Sequence, residues 1–223
     1  MIRALAILWS LCALGVAAPA AAQLAPTYSG YSSAPREDAR ADYWNFMDRI
    51  GSCLANQKPD QSRAFVHAPI NSDEEAAAFD MLFNRDRNRR NNCMGSYTGV
   101  SGGLRAHYRG SVAEGLFEKL DDAVIADFIE SPPEAPNAIT NLHELARCFV
   151  VANPSTTVEF LRRTDMATDG ELEFIMEHVE AIAPCMPAGR ELNLEPTDLR
   201  MAFAEAAYRA ASGLDVPEMG GRD

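Results

Sequence analysis

The chain has 223 residues, 47% of them hydrophobic, and a formal net charge of −12. So acidic a chain is repelled by nucleic acid and by anionic membrane faces, which excludes both as general partners. Its length suffices for one sizeable core or two small ones.

Residues 1–22 read as a signal peptide. Arg3 is a short positive region, Ala4 to Val16 an apolar run, and Ala20-Ala21-Ala22 a small-residue cleavage site. The run is too short for a membrane span, no stop-transfer pattern follows, and Cys12 lacks the small neighbours of a lipoprotein site. The expectation is a soluble protein, periplasmic or secreted, whose charge becomes −13 once Arg3 is removed. Its expected partner is a protein or another envelope component, with no membrane span after cleavage.

Residues 23–36, rich in Ser, Tyr, Pro and Ala, read as a flexible linker. From there the chain states one pattern twice. Cys53, Pro59 and Phe65-Val66 recur as Cys148, Pro154 and Phe160-Leu161, 95 residues later without a gap. Each copy continues with Cys-Met (Cys93-Met94; Cys185-Met186) and ends in Arg, Glu and an aromatic: Arg109, Glu114, Phe117, then Arg200, Glu205, Tyr208. Ordered recurrence of this kind marks a duplicated structural unit. The copies are placed at 37–130 and 138–212, joined by a proline-rich linker at 131–137 and followed by a flexible tail at 213–223.

Helical spacing runs through both copies. Tyr43, Met47, Ile50 and Leu54 share a stripe in the first, matched by Ile139, Leu142, Leu145 and Phe149 in the second. Pro59 and Pro154 each sit near the start of a short second helix, where a missing N–H does no harm. The third helices open with capping boxes, Ser72 with Glu75 and Thr168 with Glu171. Leu172, Ile175, Val179 and Ile182 carry the third helix of copy two, and the fourth helix of copy one runs on through Leu120, Val124, Ile125 and Phe128. Asn84 to Asn92 is a polar insertion, Gly95 to Gly103 an irregular glycine-rich segment, and Glu191 to Glu195 a short extended stretch. With no convincing strand pair, the fold class is all-α: two tandem four-helix units, each closed by an internal disulfide.

The disulfide pairing follows from the duplication. Four cysteines remain after the signal peptide, an even count that favours bridges in an exported protein. If each unit closes its own bridge, Cys53 pairs with Cys93 and Cys148 with Cys185. His143, Cys148, His178 and Cys185 offer a rival Cys2His2 metal site. Copy one keeps its cysteines but has Asp48 and Leu82 where the histidines stand, so neither a metal nor a cofactor is expected. No nucleophile elbow, zinc-protease helix or phosphate-binding glycine loop occurs, and Gly102-Gly103 is a loop feature.

Arg109, Glu114, Arg200 and Glu205 are the polar residues both copies retain. Arg and Glu five apart lie about 140° apart on a helix and form no tidy local ion pair. Set among Val112, Ala113 and Gly115, or Ala204 and Ala206, each carboxylate is read as partly buried and in need of a partner. It either pins the unit through a neighbouring arginine or backbone, or stands with its counterpart across a pseudo-twofold axis for acid–base work or cation binding. Arg85, Arg87, Arg89 and Arg90 read as a solvated insertion with capacity for an acidic partner, and Trp44 as helix core.

The stretch Arg109-Gly110-Ser111-Val112-Ala113-Glu114-Gly115-Leu116-Phe117 resembles exported bacterial proteins that share the Cys pattern and the Arg-Gly-x-x-Ala-Glu-x-Leu-aromatic helix. The resemblance covers most of the chain beyond the signal peptide, and copy two departs from it with Met201 in place of the glycine. It implies export and duplication, and no activity or site residue. The reading is an exported helical-repeat protein acting as a non-catalytic interaction or scaffold module. The alternative is a small-ligand-binding protein or hydrolase using Glu114 and Glu205 between the units.

Overall fold

The computed structural model describes residues 37–83, 93, 105–187 and 195–220. Residues 1–22, read as a signal peptide, the expected first linker, the Arg85–Arg90 run, the glycine-rich segment and most of Glu191 to Glu195 lie outside the described residues. Among the described residues the fold is all-helical, with five helices in each half and one isolated bridge between Ile70 and Met219.

Copy one comprises α1 (Glu37–Gln57), α2 (Pro59–His67), α3 (Asp73–Phe83), α4 (Arg105–Phe117) and α5 (Asp122–Glu130). Copy two comprises α6 (Leu142–Ala152), α7 (Pro154–Arg163), α8 (Asp169–Glu177), α9 (Val179–Ile182) and α10 (Pro196–Ala211), with a 3-10 turn at Ala183–Cys185. Pro59, Pro154 and Pro196 each occupy the first turn of their helix. The start of α6 carries a complete capping box that the repeat pattern does not show: Asn141 Oδ1 accepts from Glu144 N, and Glu144 Oε2 accepts from Asn141 N.

Two expected long helices are broken. The fourth helix of copy one stops at Phe117, where Lys119 and Leu120 donate to Leu116 and Phe117 and tighten its last turn. Asp121 and Asp122 then begin α5, acidic residues being favoured at a helix N-terminus. The third helix of copy two breaks at His178, whose Nδ1 lies 2.8 Å from Phe174 O while its N–H is shared between Phe174 and Ile175. A side chain bonded to the preceding turn competes with the helix ladder.

Both disulfides pair as the duplication implies, with Cα separations of 5.5 Å for Cys53–Cys93 and 5.7 Å for Cys148–Cys185. Each ties the first helix of its copy to the segment that follows the third. In the middle of the molecule α1 packs on α4, α4 on α10, and α10 on α6. Copy one therefore meets copy two through α4, and copy two meets copy one through α10. The hydrophobic cluster is continuous across that contact, running from Trp44, Leu54, Phe65 and Phe117 to Phe149, Phe160 and Phe203. Close approach is bought with small residues: a Cβ on Gly110 would stand 2.5 Å from Met201 Cβ, and one on Gly115 would stand 2.6 Å from Gly51 O.

Residues 213–220, expected to be a flexible tail, are held against copy one. Gly213, at φ +70°, ends α10, with its N–H on Ala210 O and Leu214 N–H on Arg209 O. That paired closure needs a left-handed residue, which glycine adopts without a Cβ penalty. The chain then turns back, Ile70 N–H donates to Glu218 O at 2.7 Å, and Gly220 N–H donates to Ile70 O at 2.6 Å. These bonds are made by backbone, so the polar composition of the tail carries no sign of them.

Candidate functional site

The four polar residues retained by both copies meet crosswise at the α4–α10 contact. Arg109 of α4 donates Nε–H to Glu205 Oε1 of α10 at 2.7 Å. Arg200 of α10 donates to Glu114 of α4, from Nε to Oε1 and Oε2 at 3.1 and 3.2 Å and from Nη2 to Oε1 at 2.5 Å. The earlier arginine takes the later glutamate in each direction, so the pairing across the contact is reciprocal. All four side chains are buried, Glu114 at 4% exposure and Glu205 at 1%.

Each guanidinium also binds its own copy. Arg109 Nη1 donates to Phe65 O at 2.9 Å and Glu75 Oε1 at 3.2 Å, and Nη2 to Val66 O and Ala68 O at 2.5 and 2.9 Å. Five acceptors thus meet the five donors of the fork. Arg200 mirrors this with Thr164 Oγ1 at 2.7 Å from Nη1, Thr164 O at 2.9 Å from Nη2, Glu171 Oε2 at 3.9 Å, and the ring of Phe160 beneath its Cζ at 5.2 Å. The carbonyls come from the C-terminal ends of α2 and α7, where a cation complements the helix dipole.

Glu75 and Glu171 belong to this constellation, although sequence reading assigned them only to capping. Each reaches past the expected donor to the residue before the cap: Asn71 N–H for Glu75 Oε2 at 2.9 Å, Ala167 N–H for Glu171 Oε2 at 3.1 Å. Asn71 and Ala167 both take left-handed backbone, at φ +62° and +58°. Ser72 Oγ still accepts from Glu75 N, but Thr168 makes no side-chain cap and donates instead to Asp165 O. The signal that could have found this role is the repeat itself, since both glutamates recur at equivalent positions.

The two carboxylates differ electrostatically. Burial pushes the Glu114 carboxyl above its ordinary range and outweighs Arg200, with Asp48 and Glu118 adding to the rise. Burial acts on Glu205 in the same sense, but Arg109, His143 and Arg209 together bring it below that range. His143 and Arg209 occupy in copy two the positions of Asp48 and Glu118 in copy one, so the asymmetry is written in the side chains around each glutamate. Burial also lowers His143, whose Nδ1 is 3.5 Å from Glu205 Oε2. A small pocket of about 10 Å³, room for roughly one water, lies beside Glu205, lined by His143, Arg147 and Arg209 and walled by Asp215 to Pro217.

A second link between copies runs from Tyr43 Oη, 2.6 Å from His107 Nδ1, to Asp198 Oδ1, 3.6 Å from His107 Nε2. Trp44 lies fully buried beside His107, as core. His143 and His178 stand apart from a metal role because Cys148 and Cys185 are bonded to each other. Among the described residues no cluster of three or more His, Cys, Asp or Glu is arranged to hold a metal, and no helix is long and apolar enough to cross a membrane. Compared with protein-family models, curated proteins and solved structures, the chain matches none.

Proposed function

We propose that the protein is an exported, non-catalytic interaction or scaffold module, a rigid bracket made by fusing two helical units. The observation that carries this reading is the reciprocal pairing of Arg109 with Glu205 and Arg200 with Glu114. The charged groups common to both copies are spent on each other and on backbone, in the interior. Two disulfides fit an oxidising compartment, as do the signal-peptide pattern and the resemblance to exported bacterial proteins. A braced, cross-linked body suits a task of holding a surface in shape outside the cytoplasm.

The alternative, ligand binding or hydrolysis by Glu114 and Glu205, draws on the pocket beside Glu205. Against it stands the burial of both carboxylates under arginine. Alanine variants of Arg109, Glu114 and Glu205 separate the two. The bracket reading expects each to lower the melting temperature, since breaking a buried pair costs about 3–5 kcal/mol, or roughly 6–20 °C for a chain of this size. Ligand binding lost at an unchanged melting temperature would instead support the site.

A further inference from the structure

We infer that the outer face of α8 and α9 is the docking surface of this module, and that its partner presents a cationic amphipathic segment. The inference rests on the interaction-module reading and names the partner that reading leaves open. Leu172, Met176 and Val179 are 47%, 62% and 51% exposed; the first two stand one turn apart on α8, and Val179 opens α9 just past the break at His178. They make up three of the five large hydrophobic side chains exposed among the described residues. Scattered exposed apolar residues are ordinary; three on one stripe mark an interaction site.

The fold does not require the stripe. Copy one builds the same third helix with Ala76 and Asp80 at the matching positions and turns Phe83 into the core at 8% exposure. What copy two adds is therefore surplus to folding. Methionine in such a stripe is unbranched and polarizable, and adapts to the contour of a partner.

Charge selects the occupant. Glu173, Glu177 and Glu180 are exposed alongside, roughly 100° round the helix from the stripe. A ligand that covers Leu172 and Met176 comes to lie beside these carboxylates, so lysine or arginine on its flank is favoured and acid repelled. A second copy of this chain would bring the same glutamates against its own, and an anionic lipid surface would meet an acidic protein. A helix with an apolar stripe and a basic flank satisfies both features at once.

The test uses the chain from residue 23 onward and an 18-residue peptide of leucine and lysine patterned as an amphipathic helix, with a leucine–glutamate peptide of the same pattern as control. Binding is read by fluorescence anisotropy, and oligomeric state by sedimentation. The inference expects the lysine peptide to bind and the glutamate peptide not to. It expects Leu172→Ser with Met176→Ser to weaken binding by about tenfold or more. Glu173→Lys with Glu177→Lys should do likewise, and Met81→Ser, at the exposed methionine of α3, should change nothing. Melting temperatures confirm that these surface variants stay folded. Lysine-peptide binding that survives the α8 variants overturns the stripe while leaving the module reading intact. A self-associated protein dispersed by Met176→Ser, or vesicle binding lost with it, overturns the proposed partner. Failure of the wild-type chain to bind the lysine peptide overturns it as well.

Discussion

A buried carboxylate beside an arginine can be stabilised or destabilised in its charged form, and this protein holds one of each. Glu205 sits with Arg109, His143 and Arg209, and its carboxyl is held below the ordinary value of 4.5. Its ionised form then adds stability that is present above that value and lost as pH falls through the folded-state pKa. Glu114 sits with Arg200 but also with Asp48 and Glu118, and its carboxyl is raised. The cost of its charge stands above the folded-state pKa and fades as pH falls toward the ordinary range. Denaturant titrations of Glu205→Gln and Glu114→Gln at pH 7 and pH 4 should therefore move apart. The advantage of the native chain over Glu205→Gln narrows on acidification, and its advantage over Glu114→Gln widens. Parallel behaviour of the two variants would refute the assigned asymmetry. Sequence isolated these four residues because duplication filters for what each unit needs. It could not show that they pair crosswise, since a spacing of five on one helix says only that the partner lies elsewhere. The neighbours that split the pair, Asp48 and Glu118 against His143 and Arg209, were readable as differences between copies but had no place until α1, α4, α6 and α10 were assembled.

Elements were legible where local chemistry sets them. Prolines at the starts of α2 and α7 and the apolar stripes of α1 and α6 locate four helices directly, and the repeat selects one cysteine pairing of three. The misread boundaries involve competition between comparable signals. Apolar residues continue past Phe117, yet Asp121 and Asp122 restart the chain as α5. The stripe continues past Glu177, yet the His178 side chain captures a carbonyl. The tail, too, is fixed by main-chain bonds to Ile70 that no side-chain pattern announces. At this scale the disulfides carry the clearest expectation. Cys148–Cys185 closes a loop with a sequence separation of 37, for which chain entropy gives about 4 kcal/mol. Cys148→Ala with Cys185→Ala should lose that much in chemical denaturation, with a steeper denaturant slope because the uncrosslinked denatured chain exposes more surface. A loss below about 1 kcal/mol would mean that α6 and the 3-10 turn are held by packing alone.

As a whole the molecule is two copies that share one interior. The second copy supplies Glu205 to the first, the first supplies Glu114 to the second, and the segment at 218–220 returns to Ile70. Neither copy is electrostatically complete alone, because each arginine fork would lose the carboxylate that the other copy supplies and keep only the glutamate of its own third helix. Unfolding is therefore expected to be a single cooperative event across both halves. Trp44, buried in copy one and the sole tryptophan after residue 22, reports on that half alone in the chain from residue 23 onward, whereas far-UV circular dichroism reports on all helices. The decisive measurement is urea unfolding of Arg200→Met followed by both probes. The substitution lies in copy two and strips the partner from Glu114 of copy one. The account predicts that the Trp44 and dichroism transitions remain superimposed and fall together to a lower midpoint, by about 3–5 kcal/mol in stability. An early dichroism transition with the Trp44 midpoint left at its native value would show two independent domains and contradict the shared interior.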